Sequence, residues 1–335
     1  MSVAYVETDY TWVRLHGERL AVFSPHDDLA TDHLLEEIPL LSLERLCLRE
    51  HVQITTEALC TLFRKGVPVH FIDWKGDCLG SALAPSPSES ACRMSQYRRT
   101  LDAGFVLVQS RAIIAAKVQN QLRLVQRLNA NRPILKESDW QPMNELLGKI
   151  DSAPDLETLR GIEGRAAAVH YPLWAAFLPE SFPFERRSTR PPMNAVNACL
   201  SFSSALLYHD VVAAVHTRGL DPGLGLLHTI ENGRWSLALD LMEPFRPALC
   251  DALACRLLNH RMLNAADFEP REGGIYLNEN GRKTLIDQYE RRMDRPFLSE
   301  QIQHRTTLRQ AVVDQVLSYK LAVLEGGLFT PFRLN

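Results

Sequence analysis

The residues best placed to do chemistry gather in one stretch, Gly219–Pro247, which reads GLDPGLGLLHTIENGRWSLALDLMEPFRP. His228 closes an apolar run, and Asp240 and Glu243 follow it three residues apart. That spacing puts two acids on the same side of a helical turn. Leu237, Leu239, Leu241, Met242 and Phe245 surround them, so both carboxylates border apolar ground, where an unpaired charge is costly. Something cationic is expected close by, and a metal ion is the economical candidate. One imidazole with two or three carboxylates suits Mg²⁺ or Mn²⁺ better than structural zinc, which recruits thiolates. The same residues admit a plainer reading. In it Asp240 is a helix N-cap ahead of Pro244 and Pro247, Glu243 pairs with Arg246, and His228 is a satisfied core histidine.

A further acid lies upstream. Glu163 sits between Gly161 and Gly164, ahead of three alanines, in LRGIEGRAAAVHYPLW. Small residues let a partner helix approach closely, so Glu163 can sit at a crowded junction while still being ionised. His170 and Tyr171, about two turns along, would border the same cavity. The alternative is an exposed glutamate on a helix rich in small residues.

These residues need elements to carry them. Asp155–Phe177 is amphipathic through Leu156, Leu159, Ile162, Val169, Leu173 and Phe177. Asn194 and Asn197 open a second apolar helix that runs to Gly219, and Asp221-Pro222-Gly223 is a turn. A strong helical pattern covers Ala91–Asn129 as one element. Its far face carries Arg93, Arg98, Arg99, Arg111, Lys117, Arg123 and Arg127 against a single acid, Asp102. That face is either solvated or a phosphate-tracking surface. Trp140–Ile150 is a shorter helix, and Asn278–Asp294 and Ser299–Glu325 are the last two. The tail GGLFTPFRLN either docks by Phe329 and Phe332 or stays mobile.

Residues 1–83 read differently. Ala4–Glu7, Trp12–Leu15, Leu20–Phe23, Glu37–Leu41, Arg45–Leu48, Val67–Trp74 and Cys78–Leu83 have strand character, and Ile54–Arg64 is the one helix. His51 and His70 stand alone there and are read as structural, and the strand edges suit protein–protein contact. A Pro/Ser-rich linker at 84–92 separates this part from 93–335. The expected fold is α+β: a small β-rich N-terminal domain followed by a larger all-α catalytic domain.

With 335 residues and 46% hydrophobic content, the chain can bury one large or two medium cores. A net charge of −3 does not announce a nucleic-acid binder, although charge placement still can. Seven scattered cysteines without a CxxC pair suit reduced thiols in a cytoplasmic protein. No signal peptide and no membrane-spanning window are expected.

Four blocks, in order, resemble the CRISPR-associated adaptation integrase family. They are RAIIAAKVQNQ (Arg111–Gln121), LRGIEGRAAAVHY (Leu159–Tyr171), RPPMNAVNACLSFSSALLYHDVVAAV (Arg190–Val215), and GLDPGLGLLH with SLALDLMEPFRP (Gly219–Pro247). The resemblance implies a metal-dependent DNA endonuclease/integrase that inserts new spacers into a CRISPR array by attack of a 3′-hydroxyl on a repeat phosphodiester. It implies Mg²⁺ or Mn²⁺ held by Glu163, His228 and Glu243, with Asp240 lining the same site. The third ligand is aspartate in some members, and the glutamate here reaches one methylene further. Where related sequences read SFGYALLY this chain has Ser203-Ser204, which puts any role of that glycine–tyrosine pair in doubt, whereas Tyr208 still matches. A homodimer through the N-terminal domains, a small ferredoxin-like adaptation protein completing a heterohexamer, and double-stranded DNA (prespacer and repeat) are the implied partners. An iron–sulphur exonuclease would be a separate chain or a removed fusion, since the cysteines here are not clustered.

The basic residues expected to track DNA are Lys117, Arg186, Arg187, Arg190, Arg246, Arg291, Arg292, Arg305 and Arg309. A general metal-dependent nuclease on branched DNA and a non-catalytic DNA-binding scaffold are the two rival readings.

Overall fold

Alternating apolar residues build the first unit, and helical apolar stripes build the second. In the computed structural model, which describes residues 3–24, 33–84 and 90–335, the chain divides into Met1–Pro87 and Ser88–Asn335. Of the expected linker, residues 85–89 lie outside the described residues.

The first unit holds two sheets of four strands each. One runs β1 (Val3–Val6), β5 (Arg45–Arg49), β7 (Val69–Ile72) and β8 (Cys78–Ala82). The other runs β4 (Leu34–Pro39), β3 (Arg19–Phe23), β2 (Trp12–His16) and β6 (Gln53–Ile54). A two-residue turn at Gly17-Glu18 joins β2 to β3, with Gly17 at φ +60°. Helix α1 (Thr56–Arg64) is N-capped by Thr55, whose hydroxyl accepts from the Ala58 N–H at 3.3 Å. Val13, Leu20, Leu46, Leu48, Leu62 and Val69 are fully buried in its core. His51 stacks on Tyr10, and His70 Nδ1 meets Ser81 Oγ at 2.7 Å. The expected strand at 37–41 is shifted: β4 ends at Pro39, and Leu40–Ser42 is a 3₁₀ turn.

The second unit is mainly helical. Its first helical stretch is two elements, α2 (Ser90–Thr100) and α3 (Ala103–Asn131), not one. Asp102 makes the break, because its carboxylate accepts from Gly104 N at 3.0 Å and Phe105 N at 3.1 Å and so starts a new helix. Four helices follow: α4 (Glu137–Leu147), α5 (Leu156–Ala175), α6 (Ala195–Thr217) and α7 (Ser236–Met242). A 3₁₀ turn (Glu243–Phe245) and a π turn (Pro247–Asp251) lead into α8 (Ala252–Asn259).

The expected α+β division into a β-rich first part and a mainly helical second part holds, and the second part departs from all-α only by two hairpins, β9 (Phe268–Arg271) with β10 (Gly274–Leu277), and β11 (Phe297–Ser299) with β12 (His304–Thr306). Glu272 and Gly273 both take positive φ, 48° and 75°, which lets two residues reverse the chain between β9 and β10. Helix α9 (Glu279–Asp294) lies between the hairpins. The final helix α10 (Leu308–Glu325) begins later than residue 299, because Thr307 caps it by accepting from Gln310 N at 3.1 Å.

Helix α6 runs through the middle of this unit and packs against α7, α10 and β10. Contrary to the sequence expectation, it is long and apolar enough to cross a membrane by length and composition. Its most apolar window is 72% buried inside the fold, which fits a core helix that is apolar on every side. The seven cysteines are all free, and burial pushes the Cys250 and Cys255 thiols up to about 11.

The C-terminal tail docks. Asn120, buried on α3, donates to Pro244 O at 2.7 Å and Phe332 O at 3.0 Å and accepts from Leu334 N at 2.8 Å. Gln315 accepts from Phe332 N at 2.9 Å and donates to Leu241 O at 2.6 Å. The Phe332 ring stacks on Phe245, with 4.5 Å between centroids. The tail thus braces the turn that follows α7. Phe332→Ala should lower unfolding free energy by about 3–5 kcal/mol, read from urea melts. A change below about 1 kcal/mol would show that the tail contributes little to holding that turn.

Candidate active site

Four segments converge: α3 with Lys117, α5 with Glu163, the loop between α6 and α7 with His228, and the end of α7 with Asp240, Glu243 and Arg246. The loop is set by a single carboxylate. Asp240 is fully buried, and its Oδ2 accepts from Leu226 N at 2.5 Å and Leu227 N at 3.1 Å. Its Oδ1 meets His228 N at 3.0 Å and His228 Nδ1 at 2.5 Å. Arg160 clamps the same loop by donating to Leu227 O at 3.1 and 2.6 Å. Only glycine fits at 225, since a Cβ there would lie 2.5 Å from Ser236 Cβ and 2.6 Å from His228 O. Asp240 therefore does not cap a helix. It folds the loop and fixes the His228 ring, committing Nδ1 and leaving Nε2 as the nitrogen turned toward any ligand.

The acids meet around one cation, and that cation is a lysine. The Lys117 ammonium is paired with Glu163 Oε1 and lies 2.6 Å from Glu243 Oε2. Arg246 Nη1 bonds the other Glu243 oxygen at 3.1 Å and Nη2 reaches Ser204 Oγ at 3.4 Å. Burial alone would raise the Glu243 carboxyl, but Lys117 and Arg246 outweigh it and hold the group at about 2. Burial would likewise lower Lys117, and the two carboxylates reverse that and push it up. For His228 the loss of solvent acts downward, and the bonded Asp240 carboxylate carries the net shift upward.

Glu163 is part-exposed, and the crowded junction expected around it is corrected. Nothing stands within 4 Å of a Cβ built on Gly161 or Gly164. Helix α5 meets its neighbours through Leu159, Ile162 and Ala166 instead, which share a core with Ile114 and Val118 of α3. His170 does not border the open site. It is buried, with Nε2 3.0 Å from Asp251 Oδ2 on the π turn. Tyr171 tilts against His170 and Phe184, and burial pushes its phenol up.

Several basic residues expected to track DNA are committed internally. Arg187 donates to Asn197 Oδ1 at 3.0 Å and Ser201 Oγ at 3.1 Å. Arg292 donates to Ala248 O at 2.9 and 2.5 Å, and burial lowers its pKa to about 10. Arg309 faces Asp210, Glu290 and Asp294. Arg291 is exposed and paired with Asp287 at 3.0 Å, while Arg186, Arg190 and Arg305 are exposed. Sequence reasoning put Lys117 on a basic face, whereas it stands on the buried row Ile113, Lys117, Gln121, Leu124. A lysine at four-residue spacing from Ile113 was the available signal. Of the unfamiliar serines, Ser203 bonds Cys199 O at 2.7 Å and Ser204 bonds Leu200 O at 2.6 Å, so both are satisfied on α6.

Among the described residues no three His, Cys, Asp or Glu side chains already form a metal cage. The donor chemistry nevertheless fits a hard divalent ion. Two carboxylates converge on a single positive charge beside an imidazole that a buried acid holds in one orientation.

The sequence pattern of the family described as CRISPR associated protein Cas1 matches residues 4–291. The chain belongs to that family. A Thermus thermophilus protein named CRISPR-associated endonuclease Cas1 3 is 31% identical over 325 residues, covering 97% of this chain and 93% of its own length. A Rhodospirillum rubrum exonuclease Cas4/endonuclease Cas1 fusion is 33% identical over 282 residues, 82% of this chain and 48% of the fusion. The fold is shared with a casposase bound to integration product, with a TM-score of 0.87 and 19% identity over 100% of this chain and 95% of that one. It is also shared with a chain of a Cas6-RT-Cas1–Cas2 complex, with a TM-score of 0.82 and 23% identity over 100% of this chain and 36% of that one.

Two outcomes follow from this geometry. Asp240→Ala strands the buried N–H groups of Leu226 and Leu227 and the part-buried one of His228, and should cost about 3 kcal/mol in denaturant melts, with new protease cleavage in the loop between α6 and α7. Retained stability and an intact loop would mean that Asp240 does not organise it. The second concerns acid. A Glu243 carboxyl held at about 2 against an ordinary 4.5 contributes stability that is complete above pH 4.5 and lost as pH falls toward 2. Glu243→Gln should flatten that limb of the stability–pH curve, and an unchanged slope would contradict the pairing.

Proposed function

We propose that this site performs metal-assisted strand transfer on DNA, inserting spacers into a CRISPR array. The observation that carries the reading is the convergence of Glu163 and Glu243 on one cation beside a histidine oriented by a buried aspartate. Glu163, Glu243 and His228 Nε2 would hold Mg²⁺ or Mn²⁺. Such an ion, when bound, polarises a phosphoryl oxygen and stabilises charge on the attacking or leaving oxygen. The protein's part is positioning. Asp240 keeps the imidazole in the tautomer that presents Nε2, Arg160 and Asp240 hold the loop, and Arg246 keeps Glu243 ionised. Phosphoryl transfer needs no nucleophilic side chain, so in integration a DNA 3′-hydroxyl attacks the repeat phosphodiester and the repeat's own 3′-oxygen leaves as a hydroxyl, with water taking the place of the attacking hydroxyl in cleavage.

Exposed Arg186, Arg190 and Arg305, with Arg291, would contact the DNA backbone, giving an affinity that falls with salt. The expected partners are a second copy through the N-terminal unit and a small ferredoxin-like adaptation protein. A separate exonuclease is a further candidate partner. The casposase bound to integration product supports DNA as the ligand, the Cas6-RT-Cas1–Cas2 complex supports a small protein partner, and the Cas4–Cas1 fusion supports an exonuclease partner. One observation favours the rival scaffold reading: Lys117 and Arg246 already satisfy the two acids.

His228 separates the readings. Loss of an outer-shell partner of a metal typically costs about 10–100-fold, and loss of a ligand should cost more. In a strand-transfer assay with the small partner, a duplex with free 3′ ends, Mn²⁺ and a repeat-bearing supercoiled plasmid, His228→Ala should lose roughly 100-fold or more of the joined product while keeping DNA binding. Metal-dependent nicking without joining would favour a general nuclease, and equal joining by both proteins would make His228 structural.

A further inference from the structure

The carboxylates of Glu163 and Glu243 share Lys117, whose ammonium is at contact distance from both. Its stem lies in the core row of α3, so it is not a surface lysine that happened to fall on an acid. Charges close to balance around it: two carboxylates face Lys117 and Arg246. We infer that Lys117 is a built-in cation that holds the two carboxylates together in the metal-free protein and competes with the divalent ion for them. The inference rests on the metal reading above and adds a residue to it.

The argument is electrostatic. Without a cation, two ionised carboxylates brought together on separate elements repel each other, and one of them is nearly sealed from water, where repulsion is weakly screened. The ammonium removes that repulsion, so α3, α5 and the turn after α7 keep their places before any metal arrives. An ion entering the same gap meets a like charge at contact range of its ligands. Metal affinity in the wild-type protein is therefore set below that of the bare carboxylate pair. Lysine suits this role better than arginine, because a compact point charge on a flexible stem can withdraw as the ion enters. Lys117 acts through Glu163 and Glu243 and is a positioning residue.

The test uses Mn²⁺ without DNA, read by electron paramagnetic resonance of free Mn²⁺ and by thermal melts with chelator or with Mn²⁺. Wild type, Lys117→Met, Lys117→Gln and Lys117→Arg are compared at one pH. The two neutral variants should bind Mn²⁺ about tenfold or more tighter than wild type. Their Tm should be lower in chelator and rise further with Mn²⁺, to the point that folding only with Mn²⁺ present also supports the inference. Lys117→Arg should bind as weakly as wild type or more weakly. Equal or weaker Mn²⁺ binding by both neutral variants would overturn the competition while leaving the metal reading intact. Absence of Mn²⁺ binding in all four proteins would overturn the metal reading and this inference together.

Discussion

A buried charge must find an opposite charge, and at Lys117 that requirement fixes three elements at once. The ammonium sits in the core row of α3 and has no route to water that does not leave two carboxylates facing each other. Glu163 on α5 and Glu243 after α7 are therefore placed relative to α3 by electrostatics as much as by packing. The apolar contacts agree with that placement, because Ile114 and Val118 meet Leu159, Ile162 and Ala166 one face away. Removing the buried Lys117 or Glu243 from such a group leaves an uncompensated buried charge, a strongly destabilising defect.

The Lys117 cluster is supported from behind by buried polar side chains. Asn120, one helical turn after Lys117, holds both Pro244 O and the tail at Phe332. Gln315 joins α7 to that same tail through Leu241 O and Phe332 N. Each is buried with both its amide nitrogen and its amide oxygen bonded, which is how a core polar group offsets its desolvation cost. The consequence is that the last residues of the chain reach the turn carrying Glu243, far from it in sequence.

Much of this was legible in the sequence where a local rule decides it. Thr55, Asp155, Asn194 and Asn278 cap the helices whose patterns follow them. The acid-rich stretch around Asp240 announced a nearby cation from apolar surroundings alone. What failed falls into two kinds: short local signals that were missed, and contacts with partners distant in sequence. Asp102 looked like a lone acid on a basic face, whereas its neighbour Gly104 makes it a cap. The hairpins at 268–277 and 297–306 are too short to show alternation and are held by backbone pairing. Pairing of Glu243 with Arg246 was readable from their spacing, but nothing in residues 219–247 reveals that α3 delivers a lysine to the same carboxylate. Likewise Gly161 and Gly164 read as packing residues, and only the fold shows that they face open space.

Asp240 and Glu243 show how equal spacing can give unequal roles. Three residues apart, they begin on one side of α7, but the helix ends at Met242 between them. Asp240 is still inside regular helix, is one methylene shorter, and reaches the loop amides packed against α7 and the His228 ring. Glu243 opens a 3₁₀ turn, with Pro244 next and a π turn from Pro247, so the backbone is rewound where its carboxylate must reach α3 and α5. Shortening Glu243 to aspartate would have to be matched by a shift of that turn, and lengthening Asp240 would push a charge into a loop that already fills its space at Gly225. The aspartate that orients the histidine and the glutamate that meets the cation are therefore not interchangeable, even though their spacing makes them look like a pair.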